Sequence, residues 1–242
     1  MRFNPFVQFV RGIQGKLQTS MLGGINGHNP NHVAFIRQMQ RELQNADSMS
    51  VSLGNLNVAV FDIETTGFYP DKGDQIISIG AVKIISGKVS DDSFYSLVQF
   101  DKPLPSEIKE LTNLSETELE SAPPLSEVFI SFLEFVKGLP LVAHHANHEK
   151  SFMQHSSWKL FRTPFKHRIL DTSFLYRITD RHKVLWKLED MCEFYNIPVK
   201  DRHHALGDAK LTALLWCCLI EEVHKIGCSN LKEVYERLAR LK

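Results

Sequence analysis

The chain has 242 residues, 43% hydrophobic and 23% charged, enough for one well-buried domain with a modest appendage. Lysine plus arginine and aspartate plus glutamate number 28 each, so a protein that coats a polyanion through bulk charge is disfavoured, whereas an enzyme that grips a few nucleotides is not. No apolar run reaches the ~20 residues of a membrane span, and the opening MRFNPFVQFVRGIQGKL lacks a signal-peptide core, so no membrane partner is expected.

Phe3, Phe6, Val7, Val10, Ile13 and Leu17 are spaced as one face of an amphipathic helix. MLGGINGHNPN breaks that pattern; Phe35, Ile36, Met39 and Leu43 then form a second helical stripe, and NADSMSVSLGN reads as a linker. Residues 1–50 are therefore expected to be a helical extension that packs on the main domain or docks a partner. A mild excess of Arg2, Arg11, Lys16, Arg37 and Arg41 over Glu42 and Asp47 leaves open an arm that guides nucleic acid.

The main domain is expected over 57–225. VAVFDI is a buried strand carrying an acid, QIISIGAVKII a long β-branched strand, and FYSLVQF a third strand after the loop SGKVSDD. Hairpin connections make these three antiparallel. APPLSEVFISFLEFVKG then reads as a helix, LPLVAH as a short strand, NHEKSFMQHSSW as a helix, HRILDT as a strand, and HALGDAKLTALLWCCLIEEVHK as a long helix. The result is an α/β fold, a mixed sheet of three antiparallel strands followed by parallel crossovers, flanked by helices in the ribonuclease H-like order. Residues 226–242 are read as a C-terminal helix packed on that domain. Trp158, Trp186 and Trp216 fall on helical patterns and are read as core. Cys192, Cys217, Cys218 and Cys228 form no CxxC pair and read as free thiols in a reducing cytoplasm.

Two carboxylates, Asp62 and Glu64, end the first strand with one residue between them. A period of two puts both on one face of the sheet, where they repel unless a cation neutralises them. Asp208 lies near the start of the long helix, and His203 precedes it by five residues. The stretch LVAHHANHEKSF has the HE that opens a metalloprotease helix, but the zinc reading needs a histidine three residues after Glu149, and Phe152 stands there. Carboxylate oxygens with at most one imidazole favour Mg²⁺ or Mn²⁺ over Zn²⁺. Four acids can hold two such ions about 3.5–4 Å apart, and a histidine can take the proton of the attacking water. That chemistry is metal-assisted phosphodiester hydrolysis.

FDIETTG (61–67), VAHHANHEKSF (142–152) and HHALGDA (203–209) resemble, in order and spacing, the three motifs of the DEDDh family of 3′–5′ exonucleases, which includes the proofreading subunit of bacterial DNA polymerase III. The segments PSEIKELTNLSETELESAPPLSEVF and ILDT are similar to the family's as well, and the likeness covers about 58–223. The resemblance implies Asp62 as the carboxylate bridging both metals, Glu64 and Asp208 as further ligands, and His203 as general base. It implies that Thr65, Thr66 and Gly67 border the terminal nucleotide. Glu149 stands where the family has aspartate and is read as the fourth acid; His145 replaces a common asparagine, His148 a common aromatic, and His204 an arginine. His148 is a candidate for stacking on a base, as are Phe68 and Tyr69 beyond the first motif; His144 and His145 are read as packing at a strand end.

The expectation is a metal-dependent exonuclease that releases nucleoside 5′-monophosphates from single-stranded DNA, with two Mg²⁺ or Mn²⁺ held by Asp62, Glu64, Glu149 and Asp208. The same site acting on RNA, or a weakly active adaptor of a replication or repair complex, are the alternatives. With no polymerase or helicase domain visible in the sequence, a polymerase or other replication or repair protein is the expected partner, met through the N-terminal helices.

Overall fold

Along β1 (Val58–Thr65), Ala59, Phe61 and Ile63 point to one side of the sheet, while Val58, Val60, Asp62 and Glu64 point to the other. The molecule is represented by a computed structural model that describes residues 30–45, 48–179 and 187–241. The first helical stripe of the sequence, residues 3–17, and Trp186 lie outside the described residues.

β2 (Ile76–Ile85) and β3 (Lys88–Leu97) follow as antiparallel neighbours, and β4 (Leu141–Ala143) and β5 (Ile169–Asp171) join in parallel, giving the order β3-β2-β1-β4-β5. This mixed α/β sheet is the ribonuclease H-like arrangement the sequence implies. One boundary differs. SGKVSDD was expected to be loop, but only Ser86 and Gly87 turn, at φ +50° and +74°, and β3 begins at Lys88. Two positive φ values make the tight turn whose twist matches a hairpin. The polar run continues as strand because β3 is the sheet's edge, where residues such as Asp92 face water and Lys83.

Helices cover both faces. One face receives α4 (Leu125–Val136) and α5 (Asn147–Phe161), with Phe61 against Phe132 at 5.4 Å between ring centres. The second stripe of the sequence becomes α1 (Pro30–Asn45), whose buried Ile36 joins this same core. On the other face α8 (Ala205–Lys225) lies across β1 and β2, with α6 (Thr172–Thr179), α7 (Leu188–Phe194) and α9 (Leu231–Ala239) around it. Leu231 and Val234 of α9 share that core with Trp216. Two short helices, α2 (Ser106–Thr112) and α3 (Glu116–Glu120), bridge β3 to α4. Among the described residues no helix is long and apolar enough to cross a membrane.

Of the tryptophans, Trp216 is 3% exposed as expected, but Trp158 is 55% exposed and is not core. The reason is local. On α5 the inward positions are taken by Phe152, Met153, Ser156, Ser157 and Phe161, and buried Ser157 donates its hydroxyl to the Thr163 carbonyl at 2.7 Å. A polar residue satisfied through the backbone holds an inward position and leaves Trp158 outside.

Candidate active site

Asp62 and Glu64 stand on the α8 side of the sheet, level with Gly80 and Ser78 of β2. In register with them on β3 is Tyr95, opposite Gly80. The glycine between Asp62 and Tyr95 is required. A Cβ there would lie 2.2 Å from the Leu206 amide nitrogen and 2.3 Å from the Ala205 carbonyl carbon. The first turn of α8 therefore rests directly on β2, which brings buried Asp208 over the end of β1. One ligand atom each from Asp62, Glu64 and Asp208 lie within 4.8 Å of one another.

The turn that delivers Asp208 is fastened at three points. His204 caps α8, its Nδ1 accepting from the Gly207 amide at 3.3 Å, and its ring stacks on Tyr95 at 4.3 Å between centres. His203 takes a left-handed conformation, φ +59°, and its amide donates to Asp208 Oδ2 at 3.2 Å. Arg202 donates through Nη1 to the same Oδ2 and through Nη2 to Glu189 Oε1 at 2.7 Å, tying the loop to α7. Sequence reasoning missed Gly80, Tyr95, Arg202 and Glu189. Gly80 carried a signal, a glycine inside a β-branched strand; Arg202 and Glu189 carried none, since their meeting depends on how α7 packs.

Glu149 comes from the opposite side, in the first turn of α5 just after β4. It is 4% exposed and stands outside the trio, near enough for its charge to act on Asp62. The turn before it is held by Asp171, which accepts from the Ala146 amide at 3.0 Å and the Ser173 amide at 2.8 Å. His144, expected to pack at the strand end, has Nδ1 2.7 Å from the Thr172 hydroxyl.

The remaining sequence candidates form the rim. The Thr65 hydroxyl donates to the Gly67 carbonyl at 2.7 Å and lies 3.3 Å from His148 Nε2. The Thr66 amide donates to the Gln75 carbonyl, and the Thr66 hydroxyl accepts from the Gln75 amide, so Thr66 braces the loop. His148 lies between the Phe68 ring (5.8 Å) and the Phe152 ring (4.8 Å), and burial lowers its basicity. Phe68 and Tyr69 are 75% and 58% exposed.

The electrostatics are those of crowded, poorly compensated acids. Burial raises the Asp62 carboxyl well above the usual range, and Glu149, Glu64 and Asp208 raise it further while Arg202 pulls it back. Burial and then Asp208 push Glu64 up to about 7. Glu149 is pushed up to about 8, chiefly by burial, against its own backbone hydrogen bond and with Asp171 and Glu64 adding. Two buried carboxylate oxygens, Glu149 Oε2 and Asp208 Oδ1, have no hydrogen-bond partner. Orphaned carboxylate oxygens at a cluster of hard donors fit a divalent cation, which would satisfy them and relieve the repulsion.

The model of the family described as Exonuclease (RNase_T) matches residues 59–216. Over 175 residues the chain is 39% identical to the DNA polymerase III PolC-type of Caldanaerobacter subterraneus subsp. tengcongensis, covering 72% of this chain and 12% of that protein. The chain thus spans a small part of that relative's length. Among solved structures, E. coli exonuclease I in complex with a dT13 oligonucleotide matches with a TM-score of 0.60 at 13% identity, over 71% of this chain and 42% of that one. The nuclease domain of 3′hExo, a DEDDh family member bound to rAMP, matches with a TM-score of 0.60 at 20% identity, over 72% and 94%. At these identities the two structures share the fold with this chain.

Proposed function

Because the chain belongs to the Exonuclease (RNase_T) family, we propose that it is a metal-dependent 3′–5′ exonuclease of the DEDDh type, releasing nucleoside 5′-monophosphates from single-stranded DNA. The observation that carries this is the meeting of Asp62, Glu64 and Asp208 within 4.8 Å, with orphaned oxygens on Asp208 and on Glu149 beside them. These four acids would hold two Mg²⁺ or Mn²⁺ ions, which when bound lower the pKa of water and stabilise a leaving oxygen.

The chain's own groups do the rest. His203, anchored through its amide on Asp208, takes the proton of the attacking water. Thr65, Thr66 and Gly67, at the bulged end of β1, border the terminal nucleotide. His148 and Phe68 offer ring faces to its base. Arg202 holds Asp208 in place rather than meeting substrate.

DNA is preferred in this reading because the sequence relative is a DNA polymerase III protein. Its context is then a replication or repair assembly, reached through residues 1–50, with 57–225 as the nuclease and 226–242 a helix supporting it. The four cysteines are free thiols, as a reducing cytoplasm would keep them.

The test is a 5′-labelled single strand, as DNA and as RNA, with Mg²⁺ or Mn²⁺. Shortening from the 3′ end is expected, faster on DNA, and lost by more than about a hundredfold with Asp62→Ala. Glu149→Asp withdraws the carboxylate by one methylene and is expected to be slower by about tenfold to a hundredfold. Folded protein that shortens neither strand with either metal would leave an adaptor in place of a nuclease.

A further inference from the structure

Trp158 is the largest exposed side chain of α5, at 55%, on a helix whose Phe152 and Phe161 are buried. It is not alone on its line. Ser151, His155, Trp158 and the C-capping Arg162 recur at spacings of four, three and four, which is one stripe along the helix surface. The stripe starts at His148, whose ring meets Phe68 at the rim of the carboxylate site. It passes the turn 70–72, where Asp71 Oδ1 lies 3.2 Å from His155 Nδ1 and Lys72 sits over the Tyr69 ring at 4.2 Å. Trp158 follows Glu149 by nine residues, or roughly 14 Å along the axis at 1.5 Å per residue.

The charge of this face is one-sided. In a chain whose net charge is zero, the exposed residues of α5 include Lys150 and Lys159 and no acid, because the helix's one acid, Glu149, is buried in the site. Arg162 adds a further cation at the end, and Asp71, the acid on the neighbouring turn, faces His155. One turn from Trp158 along α5 lie Gln154, His155 and Arg162, with Lys159 next in sequence, all polar or cationic, while Phe161, also one turn away, is buried. A protein interface would surround such a tryptophan with apolar neighbours. An aromatic face set among cations is what a single nucleic-acid strand uses.

We propose that the outer face of α5 is a second nucleic-acid subsite, along which the single strand leaves the catalytic carboxylates, with Trp158 stacking on an upstream base and Lys159 and Arg162 meeting its phosphates. This rests on the exonuclease reading, and extends the site from the terminal nucleotide to the strand behind it. The ring needs no specific base, so the subsite selects single strands over duplex and long strands over short ones rather than sequence.

The experiment uses the full chain carrying Asp62→Asn, so that bound strands survive, and 5′-fluorescein-labelled dT3 and dT15 followed by anisotropy. Adding Trp158→Ala is expected to weaken dT15 by about tenfold, as loss of one stacked base does, and to leave dT3 within about twofold. Trp158→Phe keeps a ring and should retain most of the affinity. Replacing Lys159 and Arg162 with alanine should reduce the slope of log K against log salt by about 1.4 on dT15, the share of two phosphates on a single strand. Unchanged circular dichroism and melting of Trp158→Ala, expected for an exposed residue, show that the fold is intact.

An unaltered dT15 affinity in Trp158→Ala overturns the subsite, as does an equal loss on dT3. The exonuclease reading is judged separately by the wild-type protein. If that protein shortens oligonucleotides while Trp158→Ala binds dT15 normally, only the subsite falls; if it neither shortens nor binds them, both fall.

Discussion

The site is built from two halves that hold their acids differently. On the β1 and α8 side, Asp208 is clamped by the Arg202 guanidinium and the His203 amide, and the helix delivering it rests on Gly80 without a side chain between. On the α5 side, Glu149 is buried with an oxygen that has no partner, near Asp171 and Glu64, which repel it. Asp208 is preorganised by protein contacts on one of its oxygens, whereas Glu149 is buried without a counterion among the described residues. The difference teaches that a cation would answer both halves. Arg202 engages only one Asp208 oxygen, leaving Asp208 Oδ1, Asp62 and Glu64 for the ion on the α8 side, while Glu149 has no protein cation at all.

The strongest way to break this contrast is Gly80→Ala. The new Cβ would meet backbone of α8 at 2.2 Å, which no rotamer can relieve, so α8 must lift from β2. A loss of about 3 kcal/mol by denaturant unfolding is expected, together with loss of the proposed nuclease activity, because Asp208 moves with the helix. A Gly80→Ala protein of normal stability would show that the close approach is not what positions Asp208.

Arg202→Ala tests the clamp itself. It leaves buried Asp208 without its counterion, and a loss of about 2 kcal/mol is expected, less than for a fully buried pair because Arg202 is partly solvated. Saturating Mg²⁺ should recover a larger part of the melting temperature in Arg202→Ala than it adds to wild type, since the ion then meets a site with one positive charge fewer. Equal Mg²⁺ shifts in the two proteins would separate the arginine from the metal site.

The mildest test is pH, and it reads one acid from each half. The carboxyls of Glu64 and Glu149 are raised to about 7 and about 8 from an ordinary value of 4.5. Between those limits the folded protein keeps protons that the unfolded chain has released. Metal-free stability is therefore highest at the acid end of that window, falls as pH rises through 7 and 8, and levels off above. Melting in a chelator from pH 5 to 9 should show that fall. Glu149→Gln should flatten it, and excess Mg²⁺ should reverse it, because the ion binds the deprotonated acids. A metal-free stability that rises over this range would mean the acids are compensated by something other than protons.

Sequence alone determined the fold class and most element boundaries, and it singled out three acids that the structure brings together, Asp62, Glu64 and Asp208. Asp62 and Glu64 share a face because a strand has a period of two. Phe152 in place of a histidine breaks the metalloprotease helix pattern, and the alternation of strands and helices after residue 57 gave the mixed sheet. These are properties of neighbours along the chain. The tertiary structure decided what depends on partners far apart in sequence. Gly80 matters because β2 aligns it beside Asp62 under a helix that begins at residue 205, and Arg202 because α7 brings Glu189 to it. The hairpin turn is two residues long because an edge strand accepts polar residues on its open side. Trp158 faces outward because a satisfied serine holds an inward position, a choice made by the carbonyl of Thr163 rather than by hydrophobicity. Pattern fixes which way a side chain can point; only packing decides what it meets there.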